Sequence, residues 1–148
     1  MTRGKPGGGP WYGEFRHRLV FEREARSRYA SLQGRNGQHQ RSRGFVYRLP
    51  VDVPTYETRN LVIVFSSRHP KVPQVFADGP VVDRHRFSDG SLCIWYWRDA
   101  PGRRWTFDQG LLALIDHAII HLFKEAWFLD IGEWLGDEII HDPKGEAA

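Results

Sequence analysis

One thiol, Cys93, and a histidine eight residues before it, His85, lie in the stretch RHRFSDGSLCIWYWRD, Arg84 to Asp99. Cys93 is the only cysteine in the chain. A lone cysteine is by default a small buried hydrophobe, but the neighbours of this one suit a nucleophile. Asp89-Gly90 signals a tight turn, which sets the thiol just past a bend where a partner can reach it. Leu92 and Ile94 flank it and would anchor the backbone while Cys93 faces the other way, by strand alternation. Attack by sulfur on a carbonyl needs an accessible thiolate and a donor for the oxyanion that forms. A neutral His85 can donate one N–H, or act as a base toward an incoming nucleophile. A hydrolytic Cys93/His85 dyad would also need a group to orient the histidine, and Asp83 is placed for that role.

A second constellation is His117, His121 and Glu125, spaced by four. That spacing can hold a metal, but HAIIH lacks the glutamate of a His-Glu-x-x-His site. His121 and Glu125 flank the apolar stripe while His117 leans to solvent, and a His121–Glu125 side-chain pair is the favoured reading. No metal and no cofactor are expected.

The elements that must position these residues read as follows. Residues 1–12 are Gly- and Pro-rich and expected to be flexible. Glu14 to Leu32 has no Gly or Pro and predicts a charged helix, with Glu14–Arg18 and Glu22–Arg26 as stabilising pairs. Gln33 to Gly44 is expected to be a polar loop. Phe45 to Val51 predicts a strand, which Pro50 and Pro54 limit or assign to an edge. Asn60 to Ser67, apolar on both faces, predicts a central strand. Gln74 to Ala77 is a third short strand, and Val81, Val82 and Leu92 to Ile94 are short extended candidates. Thr106-Phe107-Asp108-Gln109 fits a capping box opening a long helix whose Leu111, Ile115, Ala118 and Leu122 share one face. Gly132 and Gly136 break that pattern. Strands grouped between helices indicate an α+β fold with a mostly antiparallel meander of three to four strands. The expected organisation is one domain over residues 13–142 and a flexible tail over 143–148.

Composition excludes several classes. At 41% hydrophobic and 14% aromatic residues the chain is too apolar to be disordered. No apolar run approaches a membrane span, and the first residues lack the apolar core of a signal peptide, so a cytoplasmic protein without a membrane partner is expected. A single cysteine excludes a disulfide framework and a thiolate-rich zinc site. The net charge of +3 comes with many early arginines, but glutamates are mixed among them, so a solvated helix and loop is favoured over nucleic-acid contact.

DRHRFSDGSLCIW, Asp83 to Trp95, resembles the active-site segment of ubiquitin-conjugating enzymes. These carry His-Pro-Asn, a short stretch, then Gly-Ser-(Ile/Leu)-Cys-(Leu/Ile). Gly90, Ser91, Leu92, Cys93 and Ile94 match the second part. Trp105-Thr106-Phe107 before the apolar helix resembles the family's Trp-(Ser/Thr)-Pro. HPKVPQVFADG resembles its proline-rich approach to the active site. The resemblance spans roughly residues 14 to 128 and implies a UBC-like fold. It further implies that Cys93 accepts the C-terminal carbonyl of a ubiquitin-like protein, as a thioester, from an activating enzyme and passes it to a target amine. It gives Cys93 and His85 the catalytic roles and Asp83, Ser91 and Trp105 supporting ones, with Trp105 buttressing the loop.

The sequence departs from the family at three places. His85 stands where the family has asparagine. The segment between Cys93 and Trp105 is longer, adding Arg98, Arg103 and Arg104, which read either as a basic rim for a partner or peptide tail or as a solvated loop. The ending, FKEAWFLDIGEWLGDEIIH, resembles that of bacterial conjugating-enzyme-like proteins from antiphage or ubiquitin-like conjugation operons. There the substrate can also be the C-terminus of a cyclic-nucleotide synthase. Trp134, Glu138 and His141 would either close the active site or pack the terminal segment, with packing favoured. Two other functions stay open: a cysteine hydrolase using the Cys93/His85 dyad, and a non-catalytic binding module of the same fold.

Overall fold

The computed structural model describes residues 9–82, 85–95 and 99–136. The order is α1 (Phe15–Arg28), β1 (Gln33–His39), β2 (Ser42–Val51), β3 (Arg59–Ser66), β4 (Pro73–Ala77) and α2 (Gly110–Ile131). The strands form one antiparallel meander in the order β1-β2-β3-β4, so the α+β expectation holds with four strands. Among the described residues no helix is long and apolar enough to cross a membrane.

One face of the sheet carries the core. Phe45, Tyr47, Leu49 and Val51 of β2 alternate inward beside Leu61, Ile63 and Phe65 of β3 and Val75 of β4, and both helices contribute to the same cluster. Period-two alternation makes this face continuous across the sheet. Val46, Val64 and Phe76 form a second small cluster on the other face, which is why β3 reads as apolar on both sides.

The stretch expected as a polar loop, Gln33 to Gly44, is instead β1, a two-residue turn at Gln40-Arg41 and the start of β2. Its composition hid a strand that holds by backbone pairing rather than by side-chain burial. Its glycines serve close approach: a Cβ on Gly34 would come within 2.8 Å of the Tyr47 and Phe45 rings. Of the two readings of Pro50 and Pro54, the edge position fails, since β2 lies inside the sheet, while the strand does end at Val51, before Pro54. β1 ends opposite Arg48, so the missing N–H of Pro50 breaks no ladder on that side.

α1 is tied to the sheet by Phe21, whose ring lies 5.4 Å from Phe65, and by Glu22. The latter is buried and accepts the Tyr47 hydroxyl at 2.7 Å, while Arg26 donates to its other oxygen. The Glu22–Arg26 pair is therefore the charge balance of a buried carboxylate rather than a surface ornament.

α2 buries Leu111, Ile115, Ala118 and Leu122 completely, the expected stripe. The capping box does not form. The Thr106 hydroxyl donates to Asp108, a turn of 3-10 helix covers Phe107–Gln109, and α2 begins at Gly110. The hydroxyl is thus committed to a carboxylate instead of a backbone amide. Gly132 ends α2 in the left-handed region, its N–H returning to Phe128 O at 2.8 Å.

The folded unit starts earlier than residue 13. Trp11 and Tyr12, expected in the flexible segment, are core residues. Trp11 packs 4.6 Å from Phe21, 5.2 Å from Phe65 and 5.0 Å from Phe107, and its indole N–H donates to Pro70 O. The surrounding glycines and prolines obscured two large aromatic anchors. Trp11→Ala is expected to lower the unfolding free energy by about 3–5 kcal/mol in urea titration. A loss below about 1 kcal/mol would mean that the core does not depend on this residue.

Candidate active site

Residues 85–93 form a hairpin. Cys93 N donates to His85 O at 3.0 Å, Phe87 N to Ser91 O at 2.9 Å, and Gly90 N to Phe87 O at 2.9 Å, with a bridge between Arg86 and Leu92. The loop is the three-residue type that needs a left-handed residue before the returning strand, and Gly90 supplies it at φ +88°. The Asp89-Gly90 turn is thus where the sequence predicts it. Of the other extended candidates only the Arg86–Leu92 bridge forms a pairing among the described residues.

Asp89 fixes the tip. Its Oδ1 accepts the Ser91 amide at 2.8 Å and the Ser91 hydroxyl, and its Oδ2 accepts Gln74 Nε2 at 2.9 Å. Leu92 N then donates to Val75 O at 2.7 Å, docking the hairpin on β4. Ser91 therefore shapes the turn; its hydroxyl is committed to Asp89.

The other side of the hairpin is held by charge. Arg86 donates from Nε and NH2 to the two carboxylate oxygens of Glu125 at 2.7 and 2.8 Å, and from NH1 to Gly90 O at 3.2 Å. Both side chains are almost fully removed from solvent, at 5% and 1% exposure. His121 Nε2 lies 3.3 Å from Glu125 Oε2 and 3.1 Å from His85 O. Two acceptors face that nitrogen, so it carries the proton. Burial pushes the Glu125 carboxyl up, but the Arg86 hydrogen bonds, then His121, more than offset this and hold it below the ordinary carboxylate value. The expected His121–Glu125 pair is present, but on the buried face of α2 rather than flanking it.

Cys93 and His85 line one cavity of about 100 Å³ with Ile94, His117, Ile120, His121, Lys124 and Trp134. The expectation of a reachable thiol is corrected: Cys93 is 3% exposed. The chain after α2 returns to the same cavity. Gly132 turns it back, Gly136 passes beside the Lys124 ammonium, and the Trp134 indole stacks on the His85 ring at 3.4 Å and 13°. Trp134 also meets His121 edge-on at 5.6 Å. Trp134, one of the three residues posed as either packing or closing, packs on His85 and lines the cavity.

Trp105 is buried, donates its indole N–H to Gly110 O at 2.9 Å, and lies 6.3 Å from the roughly parallel Trp95 ring. It braces the chain two residues past Cys93 against the start of α2. Trp95 in turn contacts His117 at 5.7 Å. His117 is half-buried rather than turned to solvent, and burial, partly opposed by Asp116, pulls its pKa down. Arg103 is exposed, while Arg104 donates to Asp99 O at 2.9 Å. Asp83, Arg98, Glu138 and His141 lie outside the described residues. Among the described residues no group of His, Cys, Asp and Glu is arranged to hold a metal ion.

Sequence reasoning missed Arg86 and Lys124. Arg86 had a readable signal: Glu125 sits seven residues after the fully buried Ala118, on the same helical face. A carboxylate there requires a buried cation. No family model, curated protein or solved structure matches the chain.

Chemically, the Cys93 amide is spent on His85 O and is not free to meet an oxyanion at this thiol. His85 and Lys124 share its cavity. Trp134→Ala is expected to raise the rate of Cys93 alkylation by iodoacetamide several-fold; an unchanged rate would mean that the indole does not screen the thiol. A second expectation concerns pH. A carboxyl depressed on folding stabilises the native state above its ordinary value of 4.5, and that stability is lost as pH falls through the lower folded value. The stability of the native chain relative to Arg86→Met/Glu125→Leu should therefore drop on acidification below about pH 4.5, read from urea melts between pH 7 and 3. A pH-independent difference would remove Glu125 from the account.

Proposed function

We propose that this chain is a ubiquitin-conjugating-enzyme-like acyl carrier with a UBC-like fold, acting in bacterial antiphage defence. Cys93 takes the C-terminal acyl group of a ubiquitin-like protein from the thiol of an activating enzyme. A new C–S bond forms at Cys93, the C–S bond to the activating enzyme breaks, and that enzyme's sulfur leaves as the thiol. A target amine then attacks the thioester, the Cys93 C–S bond breaks, and the amine's proton is returned to Cys93 as its thiol. The thioester keeps the acyl group reactive, so no nucleotide is required by this protein itself.

The observation that carries the reading is that Cys93 and His85 stand across one hairpin, share one cavity, and lie between β4 and α2. The order of N-terminal helix, four-strand antiparallel meander, cysteine hairpin and C-terminal helix agrees with what the resemblance implies. His85 takes the place of the family's asparagine in the cavity that the thiol lines, and the Lys124 ammonium lines it too. Trp105 supports the segment after Cys93. Among the described residues, Arg103, on the exposed loop, is the member of the basic rim open to a partner. The stacked Trp134 must lift for a protein-sized acyl donor to reach the sulfur.

The test is to incubate the full chain with an activating enzyme, a ubiquitin-like protein and Mg-ATP, resolving products with and without reductant. The native chain is expected to give a reductant-labile adduct, and Cys93→Ser none. An adduct of equal yield and lability in the serine variant would overturn the mechanism. Catalytic release of the free ubiquitin-like C-terminus, with no retained adduct, would favour hydrolysis by the Cys93/His85 pair instead.

A further inference from the structure

We propose that Glu125 is the positioning residue of the Cys93 site, setting the cysteine strand against α2 through Arg86 and His121. This rests on the acyl-carrier reading for its activity arm alone. Both sides of the hairpin meet α2 at one atom, the carbonyl oxygen of His85. It accepts the Cys93 amide at 3.0 Å and the His121 ring at 3.1 Å, so both of its lone pairs are used. The ring that fills the second position is held at 3.3 Å from Glu125 Oε2. The two Glu125 oxygens also take both arms of Arg86, and the third Arg86 nitrogen takes Gly90 O at the hairpin tip. The His85 side of the hairpin is thus tied to α2 by two groups that both meet Glu125, Arg86 and His121, and the Cys93 side follows through its amide on the His85 carbonyl.

Stability does not require such a pair. Burying two charges costs desolvation that their attraction barely repays, and a well-packed apolar pair serves equally well. The pair supplies direction: the planar guanidinium and the carboxylate meet in one geometry, and the imidazole proton fixes one more. Glu125 touches neither sulfur nor acyl group, so its effect passes through the backbone beneath them.

The experiment compares the full native chain with Arg86→Met/Glu125→Leu, His121→Gln and His121→Leu. The acyl probe is a peptide α-thioester ending in Gly-Gly. Transfer forms the Cys93 C–S bond, breaks the peptide's C–S bond and releases its small thiol with the proton. The double variant is expected to unfold at the same urea concentration, to transacylate about tenfold more slowly or worse, and to alkylate with iodoacetamide along a displaced pH profile. His121→Gln keeps an N–H donor at similar reach and should retain most of the rate; His121→Leu should lose about as much as the double variant. Native acylation rates in both the double variant and His121→Leu would overturn the proposal, whatever their stability. If the double variant does not fold, the two His121 variants decide by the same comparison. If the native chain itself takes no acyl group, the acyl-carrier reading fails, and the alkylation profiles decide alone: superimposable profiles in native and variant chains overturn the positioning role.

Discussion

The structure of the site depends on a buried ion pair, Arg86 with Glu125. A carboxylate at 1% exposure on the core face of a helix is tolerable only when its charge and lone pairs are met. Meeting them brings an arginine from the hairpin down onto α2, and the backbone on either side of that arginine follows. His85 precedes it, Gly90 accepts from it, and Leu92 bridges to it. Cys93 comes next in the chain, its amide already bound across the hairpin. The thiol's position is therefore a consequence of where one charge is buried.

Three other constraints act on the same nine residues. Asp89 links the tip to Gln74, which itself accepts the Ser42 hydroxyl, so the hairpin is tied to β4 and through it to the start of β2. Trp105 braces the segment that follows. Trp134 closes the top, laid flat on His85 by the turn that Gly132 makes. The result is a cysteine whose backbone is held by hydrogen bonds, in a cavity whose histidine is covered by one stacked ring. The cover is made of contacts between side chains on a short irregular segment, which open more readily than a hydrogen-bonded hairpin.

Much of this was legible in the sequence, and the limits are physical. α2 and β3 were clear because long periodic apolar patterns are dictated by burial. The tight turn before Cys93 was clear because Asp-Gly has few other uses. β1 was not, because a polar, glycine-bearing strand is held by backbone bonds that leave no mark in side-chain chemistry. Trp11 was not, because the backbone propensity of its neighbours outweighed one large ring. The stacking of Trp134 on His85 is a distant contact, 49 positions apart in the chain, and no local pattern encodes that meeting. Arg86 lay between, since the need for a cation could be read from Glu125 but its source could not.

The central claim is that Cys93 carries an acyl group from a ubiquitin-like protein. Peptide mapping tests it most directly. The full chain is charged with an activating enzyme, a ubiquitin-like protein and Mg-ATP, quenched in acid, and digested without reductant. The account predicts the C-terminal remnant of the ubiquitin-like protein on Cys93, lost on treatment with thiol. A remnant on a lysine alone, or an unmodified Cys93 in a chain whose activating enzyme is fully charged, would contradict it.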